Sequence, residues 1–173
     1  MTELAFRSLD PERDLALVHG WMQEPHVVAW WQLAGEPEVV RMHLAEQLSR
    51  DHVRLWIVSD DAAPFAYVET YRVPGDPLAG CYEAQPGDRG FHLLVGPPGR
   101  LGRGLGKALV RAVVERLLAE PGATRVVCEP EVRNTRMVAC CRALGAGELG
   151  VIDQPGRRAV LLGWTRTLAT AAA

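Results

Sequence analysis

No C-x-x-C pair, no H-E-x-x-H and no cluster of histidines occurs anywhere in this sequence of 173 residues. The usual ligand spacings of structural and catalytic zinc are therefore missing. Its four cysteines are Cys81, Cys128, Cys140 and Cys141, and the adjacent pair is poorly suited to ligate one ion together. No metal is implied. No apolar run approaches the roughly twenty residues needed to cross a bilayer, and the first residues carry no signal-peptide pattern. The expectation is a cytoplasmic protein without a membrane span. An excess of positive charge is also absent, with 19 Lys and Arg against 21 Asp and Glu and a formal net charge of −2. Binding to nucleic acid, which calls for a broad basic surface, is not expected.

What is present describes an ordinary globule. Hydrophobic residues make up 48% and charged residues 23% of the chain, a balance that suits one domain over residues 1–168, large enough to bury a core without disulfides. Residues 169–173 are expected to fray. There is no internal repeat and no linker.

The most informative stretch runs from Leu94 to Glu120. An apolar run, His92 to Val95, stops at Gly96, Pro97 and Pro98, and a glycine-dense loop then feeds a periodic helix. Leu105, Ala108, Leu109, Ala112, Val113 and Leu117 recur at three- and four-residue spacing, which predicts a core face. Lys107, Arg111 and Glu115 fall on the other side. Gly102, Gly104 and Gly106 let backbone N–H groups approach a ligand where the helix begins. A helix start has spare N–H donors and a partial positive charge. From Arg100 to Arg111 there are four basic residues, Arg100, Arg103, Lys107 and Arg111, and no acid. The loop is suited to phosphate. A Walker loop is excluded, because Gly106-Lys107 is followed by Ala108 where a Ser or Thr must bind magnesium. A dinucleotide fingerprint fits poorly, since Gly102-x-Gly104-x-Gly106 is misspaced and lies mid-chain.

The flanking sequence predicts alternating elements. Leu4 to Leu9 reads as a strand, and Asp10-Pro11-Glu12 starts a helix reaching about Met22. After His26 to Trp31 (HVVAWW), a second helix starts near Glu36-Pro37. Three of the five tryptophans, Trp21, Trp30 and Trp31, thus lie in the region joining the first two helices. They either fill the core or wall a pocket, and His26 reads as a structural or gating residue. Arg54 to Ser59 and Phe65 to Tyr71 form a hairpin about Asp60-Asp61-Ala62-Ala63-Pro64. The long segment from Arg72 to Gly90 and its flanks carry Glu69, Asp76, Glu83 and Asp88. Each taken singly reads as a solvated acid, and together they are able to draw a cationic amine. Thr124 to Cys128 is a short strand, a helix from about Asn134 buries Met137, Val138, Cys141 and Leu144, and two strands about Gln154-Pro155-Gly156 close the chain.

The loop around Gly104-Leu105-Gly106 resembles the acyl-CoA loop of the GNAT superfamily of N-acetyltransferases, whose signature is Gln/Arg-x-x-Gly-x-Gly/Ala. The signature's first position is Leu101 here, with Arg100 one place early. The element order resembles that superfamily over nearly the whole chain. It implies an α/β (α+β) fold with a mixed sheet of six to seven strands, splayed between strands 4 and 5, and about four helices. It also implies acetyl-CoA or a longer acyl-CoA as co-substrate. The residues implied to hold it are Val95, Arg100, Leu101, Gly102, Arg103, Gly104, Leu105, Gly106 and Lys107, with Asn134 at the pantetheine arm.

The strings DRGFHLLVG (Asp88 to Gly96), EPEVRN (Glu129 to Asn134) and HVVAWW are similar to a narrower group, the siderophore-pathway acyltransferases acting on lysine or N6-hydroxylysine. That resemblance implies catalytic roles for His92 and Glu131, Glu129 being the weaker match, and a substrate site beside Trp30, Trp31 and Glu69. Acyl transfer to an amine needs a neutral nitrogen lone pair, a stabilised oxyanion and a proton for the thiolate. His92, opposite in strand phase to Phe91 and Leu93, suits the first need. Many GNAT enzymes place a tyrosine where Cys141 stands, and a cysteine on an apolar helix face reads as packing. Aminoglycoside 6′-N-acetyltransferases share the tryptophan pair and the loop, but generally lack a histidine at position 92. A non-catalytic acyl-CoA-binding module is the third alternative. The partner expected is a small-molecule amine, and the assembly a monomer or homodimer.

Overall fold

The computed structural model describes residues 3–61 and 63–165. Seven strands are ordered β1-β2-β3-β4-β5-β7-β6: β1 (Ala5–Ser8), β2 (Val53–Ser59), β3 (Pro64–Arg72), β4 (Asp88–Val95), β5 (Arg125–Cys128), β6 (Gly147–Gln154) and β7 (Arg157–Thr165). Five α-helices accompany them: α1 (Pro11–Met22), α2 (Pro25–Trp31), α3 (Pro37–Leu48), α4 (Leu105–Leu118) and α5 (Thr135–Ala143). The sheet is mixed. β1 pairs antiparallel with β2, β5 and β6 each pair antiparallel with β7, and β4 pairs parallel with β5. The parallel register covers Asp88 to Gly90 against Arg125 to Val127, while β4 itself continues to Val95. The chain separates into two compact units, Met1–Glu69 with His92–Gly106 and Thr70–Phe91 with Lys107–Ala173, so β3 and β4 each contribute to both. The tail 169–173 lies outside the described residues. None of the described helices is long and apolar enough to cross a membrane.

The first unit is built from β1, α1, α2, α3, β2, the first part of β3 and the second part of β4. Asp10 caps α1 as expected, its side chain accepting from the N–H groups of Glu12 and Arg13 at 3.0 and 3.1 Å, and Pro11 follows at the first helical position. Asp14, 2% exposed, is held by Arg7 at 2.6 and 2.8 Å. The HVVAWW segment is a helix of its own, not a connection, which raises the helix count from the expected four to five. Pro25 at its first position supplies the helical φ, and Gln32 in the left-handed region ends it. Trp21 packs on Gly96, where an added Cβ would fall 2.1 Å from its Cγ. Only glycine fits there.

The second unit contains the end of β3, the start of β4, α4, β5, α5, β6 and β7. Helix α4 buries Leu109, Val110, Val113, Val114, Leu117 and Leu118. Its face is thus turned from the one expected, since Ala108 is exposed and Val110, Val114 and Leu118 are inside. Asp88, read as a loop acid, begins β4 and is fully buried. Arg125 grips it at 2.8 and 2.6 Å, and the Tyr82 hydroxyl and the Gln85 N–H donate at 2.7 and 2.9 Å. These donors outweigh burial, which by itself would raise the carboxyl, and hold its pKa below the usual range.

Candidate active site

The first unit brings together four polar side chains from three elements. Glu69 is 3% exposed on β3, and its carboxylate receives three donors. His43 of α3 donates through Nε2 to Oε1 at 2.6 Å, the Tyr67 hydroxyl donates to the same oxygen at 2.9 Å, and His92 of β4 faces Oε2 through Nδ1 at 3.1 Å. Burial raises the Glu69 pKa, but the bonds from His43 and His92 outweigh it and bring the group down to about 2. Glu69 is an anion throughout the working range. Burial, followed by the neighbouring charge of Glu69, pushes the Tyr67 hydroxyl well above its ordinary value, so it stays a proton donor.

Why these residues meet follows from period. On β3, Tyr67 and Glu69 are two apart and share a face, and on α3 His43 sits three residues after buried Val40 and beside buried Leu44. Trp31 closes the group. Its ring lies edge-on to His43 and His92 at 6.2 and 6.3 Å between centroids, and tilted on Tyr67 at 5.6 Å.

A carboxylate only accepts, so the ring nitrogen of His92 that faces it carries the hydrogen. Nε2 of the neutral ring then holds the lone pair. The His92 side chain is 40% exposed against 17% for His43. An imidazole with one nitrogen fixed by a buried acid is the arrangement an oriented general base requires.

Of the residues expected in the site, Trp31, Glu69 and His92 are brought together. Both oxygens of Glu69 have partners inside the protein. Trp30 is 39% exposed on α2. His26 is structural, donating from Nε2 to the carbonyl of Val95 at 2.8 Å. His43 and Tyr67 were not anticipated. The signal for His43 was a polar side chain on the buried face of a helix, and for Tyr67 its i, i+2 relation to Glu69.

The loop expected to hold acyl-CoA begins as a turn of 3-10 helix over Pro98–Arg100. Gly102 and Gly104 have φ of +75° and +80°, which glycine alone adopts without strain. Among the described residues, no atom beyond the immediate chain neighbours and the helix's own backbone lies within 4 Å of where a Cβ would sit on Gly102, Gly104 or Gly106. The cradle is open where amides and the start of α4, without an acid in its first turn, would meet phosphate. Arg103 and Lys107 are exposed there, and Leu101 and Leu105 are half-buried. Arg100 is turned away to an ion pair with Asp60. The residues present fit the anionic carrier.

In the second unit, Glu129 is 4% exposed and bonded by the Tyr71 hydroxyl at 3.2 Å and Arg157 at 3.3 Å. The Glu131 carboxylate is paired with Arg133, and its backbone bridges Ala159. Asn134 caps α5, Oδ1 accepting from the Met137 N–H at 3.2 Å. Cys141 is fully buried with its sulfur 3.7 Å from that of Cys128, the packing role expected of it.

A family model described as an acetyltransferase (GNAT) domain matches residues 10–154. The chain belongs to the GNAT acetyltransferase family. Acyl-CoA is the co-substrate of this family, and the chain is an acyl-CoA-dependent N-acyltransferase. Among curated relatives it is 33% identical to the lysine N-acyltransferase MbtK of Mycobacterium sp. (strain MCS), over 96% of this chain and 69% of the relative. It is 32% identical to an aminoglycoside N(6′)-acetyltransferase type 1 of Klebsiella pneumoniae, over 90% of this chain and 80% of the relative. Among solved structures, the aminoglycoside acetyltransferase AAC(6′)-Ib in complex with coenzyme A superposes with a TM-score of 0.88 at 29% identity, covering 98% of both chains.

Proposed function

We propose that this enzyme moves an acetyl or longer acyl group from acyl-CoA to the side-chain nitrogen of lysine, or of its N6-hydroxylated form, as a step of siderophore biosynthesis. The observation that carries the reading is His92 held by buried Glu69. His92 Nε2 takes the proton from the acceptor nitrogen, and the imidazolium so formed lies beside a carboxylate that stabilises it. The bound co-substrate supplies an acyl carbon activated as a thioester. Main-chain N–H groups from Gly102 to Gly106 hold its diphosphate, Val95 lines its path at the end of β4, and the Asn134 amide donates towards its arm. Glu131, paired with Arg133, is assigned a catalytic role by its match to the family's acid in the EPE segment.

The acids of this chain favour an acceptor with one reacting nitrogen over a polycationic sugar. Glu69, Asp88, Glu129 and Glu131 each spend their charge on His, Tyr or Arg partners, and Asp76 caps the turn at Pro77–Gly80. The aminoglycoside reading keeps support from the Klebsiella relative and from the AAC(6′)-Ib superposition.

Release of free thiol, measured with acetyl-CoA and longer acyl-CoAs against lysine, N6-hydroxylysine and kanamycin, tests the proposal. Turnover with a lysine-type acceptor is expected, and turnover with kanamycin alone reverses the assignment. His92→Ala is expected to lower kcat/KM by about 10²- to 10⁴-fold; an unchanged rate across the pH range removes His92 as the base.

A further inference from the structure

Three donors meet the buried carboxylate of Glu69, and they are divided unequally between its two oxygens. Oε1 accepts from Nε2 of His43 at 2.6 Å and from the Tyr67 hydroxyl at 2.9 Å, while Oε2 faces Nδ1 of His92 at 3.1 Å. Proton transfer through His92 involves only the last of these contacts directly.

The division has a geometric effect. The terminal torsion of a glutamate is a broad, two-fold rotor, so burial by itself does not choose which oxygen faces β4 or at what tilt. A single donor on Oε1 fixes one point and leaves the carboxylate able to swing about it. A second donor arriving from another direction fixes the plane. His43 reaches in from α3, and Tyr67 stands two residues before Glu69 on the same face of β3. With Oε1 occupied twice, Oε2 is the oxygen turned to His92. Because that oxygen only accepts, it draws the hydrogen of the neutral imidazole to Nδ1 and leaves the lone pair on Nε2.

Tyr67 is suited to this hold. Its side chain is fully buried, and a hydrogen bond to an ionised acceptor is stronger than one between neutral groups. The ring is anchored separately from the hydroxyl, tilted on Trp31 at 5.6 Å between centroids. The oxygen is therefore removable without removing the packing.

Resting on the reading of His92 as the base, we propose that Tyr67 is a positioning residue for acyl transfer. Its hydroxyl, sharing Oε1 with His43, holds the Glu69 carboxylate with Oε2 turned to His92, and so selects the ring form in which Nε2 accepts the proton.

The test is Tyr67→Phe in the whole enzyme, a change that keeps the ring and deletes one oxygen. The kcat for acyl transfer is expected to fall about tenfold, with KM for acyl-CoA within about twofold of the natural value. In a Glu69→Gln background the same change is expected to lower kcat no further, since the hydroxyl acts through the carboxylate. An equal loss in both backgrounds overturns the proposal. So does an unchanged kcat with only the melting temperature lowered, which assigns the hydroxyl a structural role.

The ¹⁵N resonances of the His92 ring, recorded without substrates at a pH where the ring is neutral, read the hold apart from catalysis. The Nδ1–H form is expected to dominate in the natural protein, and a measurable share of the Nε2–H form to appear in Tyr67→Phe. An unshifted balance overturns the proposal even if His92 is the base. Conversely, a shifted balance together with full activity of His92→Ala retains the hold on the ring and overturns the base. If Tyr67→Phe does not fold, His43→Ala, which leaves Oε1 with Tyr67 alone, takes its place: a shifted balance supports the proposal and an unshifted one overturns it.

Discussion

At the scale of single residues, the chain places its acids where their charges are already answered. Asp88 is the clearest case, because its spacing in a Gly- and Pro-rich segment reads as solvated loop whereas it is a fully buried strand residue gripped by Arg125. Nothing in the local sequence distinguishes the two, since the partner is 37 positions away. Removing it leaves an uncompensated buried charge. Arg125→Met is expected to cost about 3 kcal/mol, read as a fall in the midpoint of urea unfolding, and Asp88→Asn combined with it to recover part of that loss. His92, in contrast, was legible, because strand alternation about Phe91 alone sets it apart from the core. His43 was not, because a helix face tells that a side chain is inside but not which strand residue it will meet.

At the scale of elements, capping chemistry was read correctly where it is local. Asp10-Pro11 and Glu36-Pro37 both open helices at the expected places. The short α2 escaped because seven residues do not establish a helical period, and its start lies in Pro25, one place before the string that drew attention. The glycine loop was legible as the bend that feeds α4, and the structure adds the conformations that require glycine there. At Gly104, φ of +80° places a Cβ in a disfavoured region as well as in the open cradle. Gly104→Ala is expected to raise KM for acyl-CoA by roughly tenfold, the equivalent of about 1–2 kcal/mol of backbone strain. Its kcat should change little and its thermal midpoint fall by only a few degrees, which steady-state kinetics beside a melting curve would check.

At the scale of the molecule, three buried carboxylates, Asp14, Glu69 and Asp88, are held below their ordinary pKa. In all three, hydrogen-bonding donors outweigh the effect of burial. The sign follows directly. A group whose folded pKa lies below its unfolded value binds protons first in the unfolded chain, so its stabilisation is complete above the unfolded pKa and is lost as pH falls through the folded one. For Glu69 that window runs from about 4.5 down to about 2, and is worth on the order of 3 kcal/mol. Calorimetric melting temperatures are expected to fall steeply across it, and Asp14→Asn is expected to flatten part of the slope while lowering stability near neutrality.

The edge-on seating of Trp31 against both imidazoles has an optical consequence. Indole emission depends on what packs against the ring, so a molecule that settles beside His43 and His92 is expected to change the intrinsic fluorescence of Trp31. Subtracting the signal of a Trp31→Phe protein isolates that emission from the other tryptophans. The enzyme thereby carries its own gauge of what occupies this corner of the molecule, readable in the cuvette without a label.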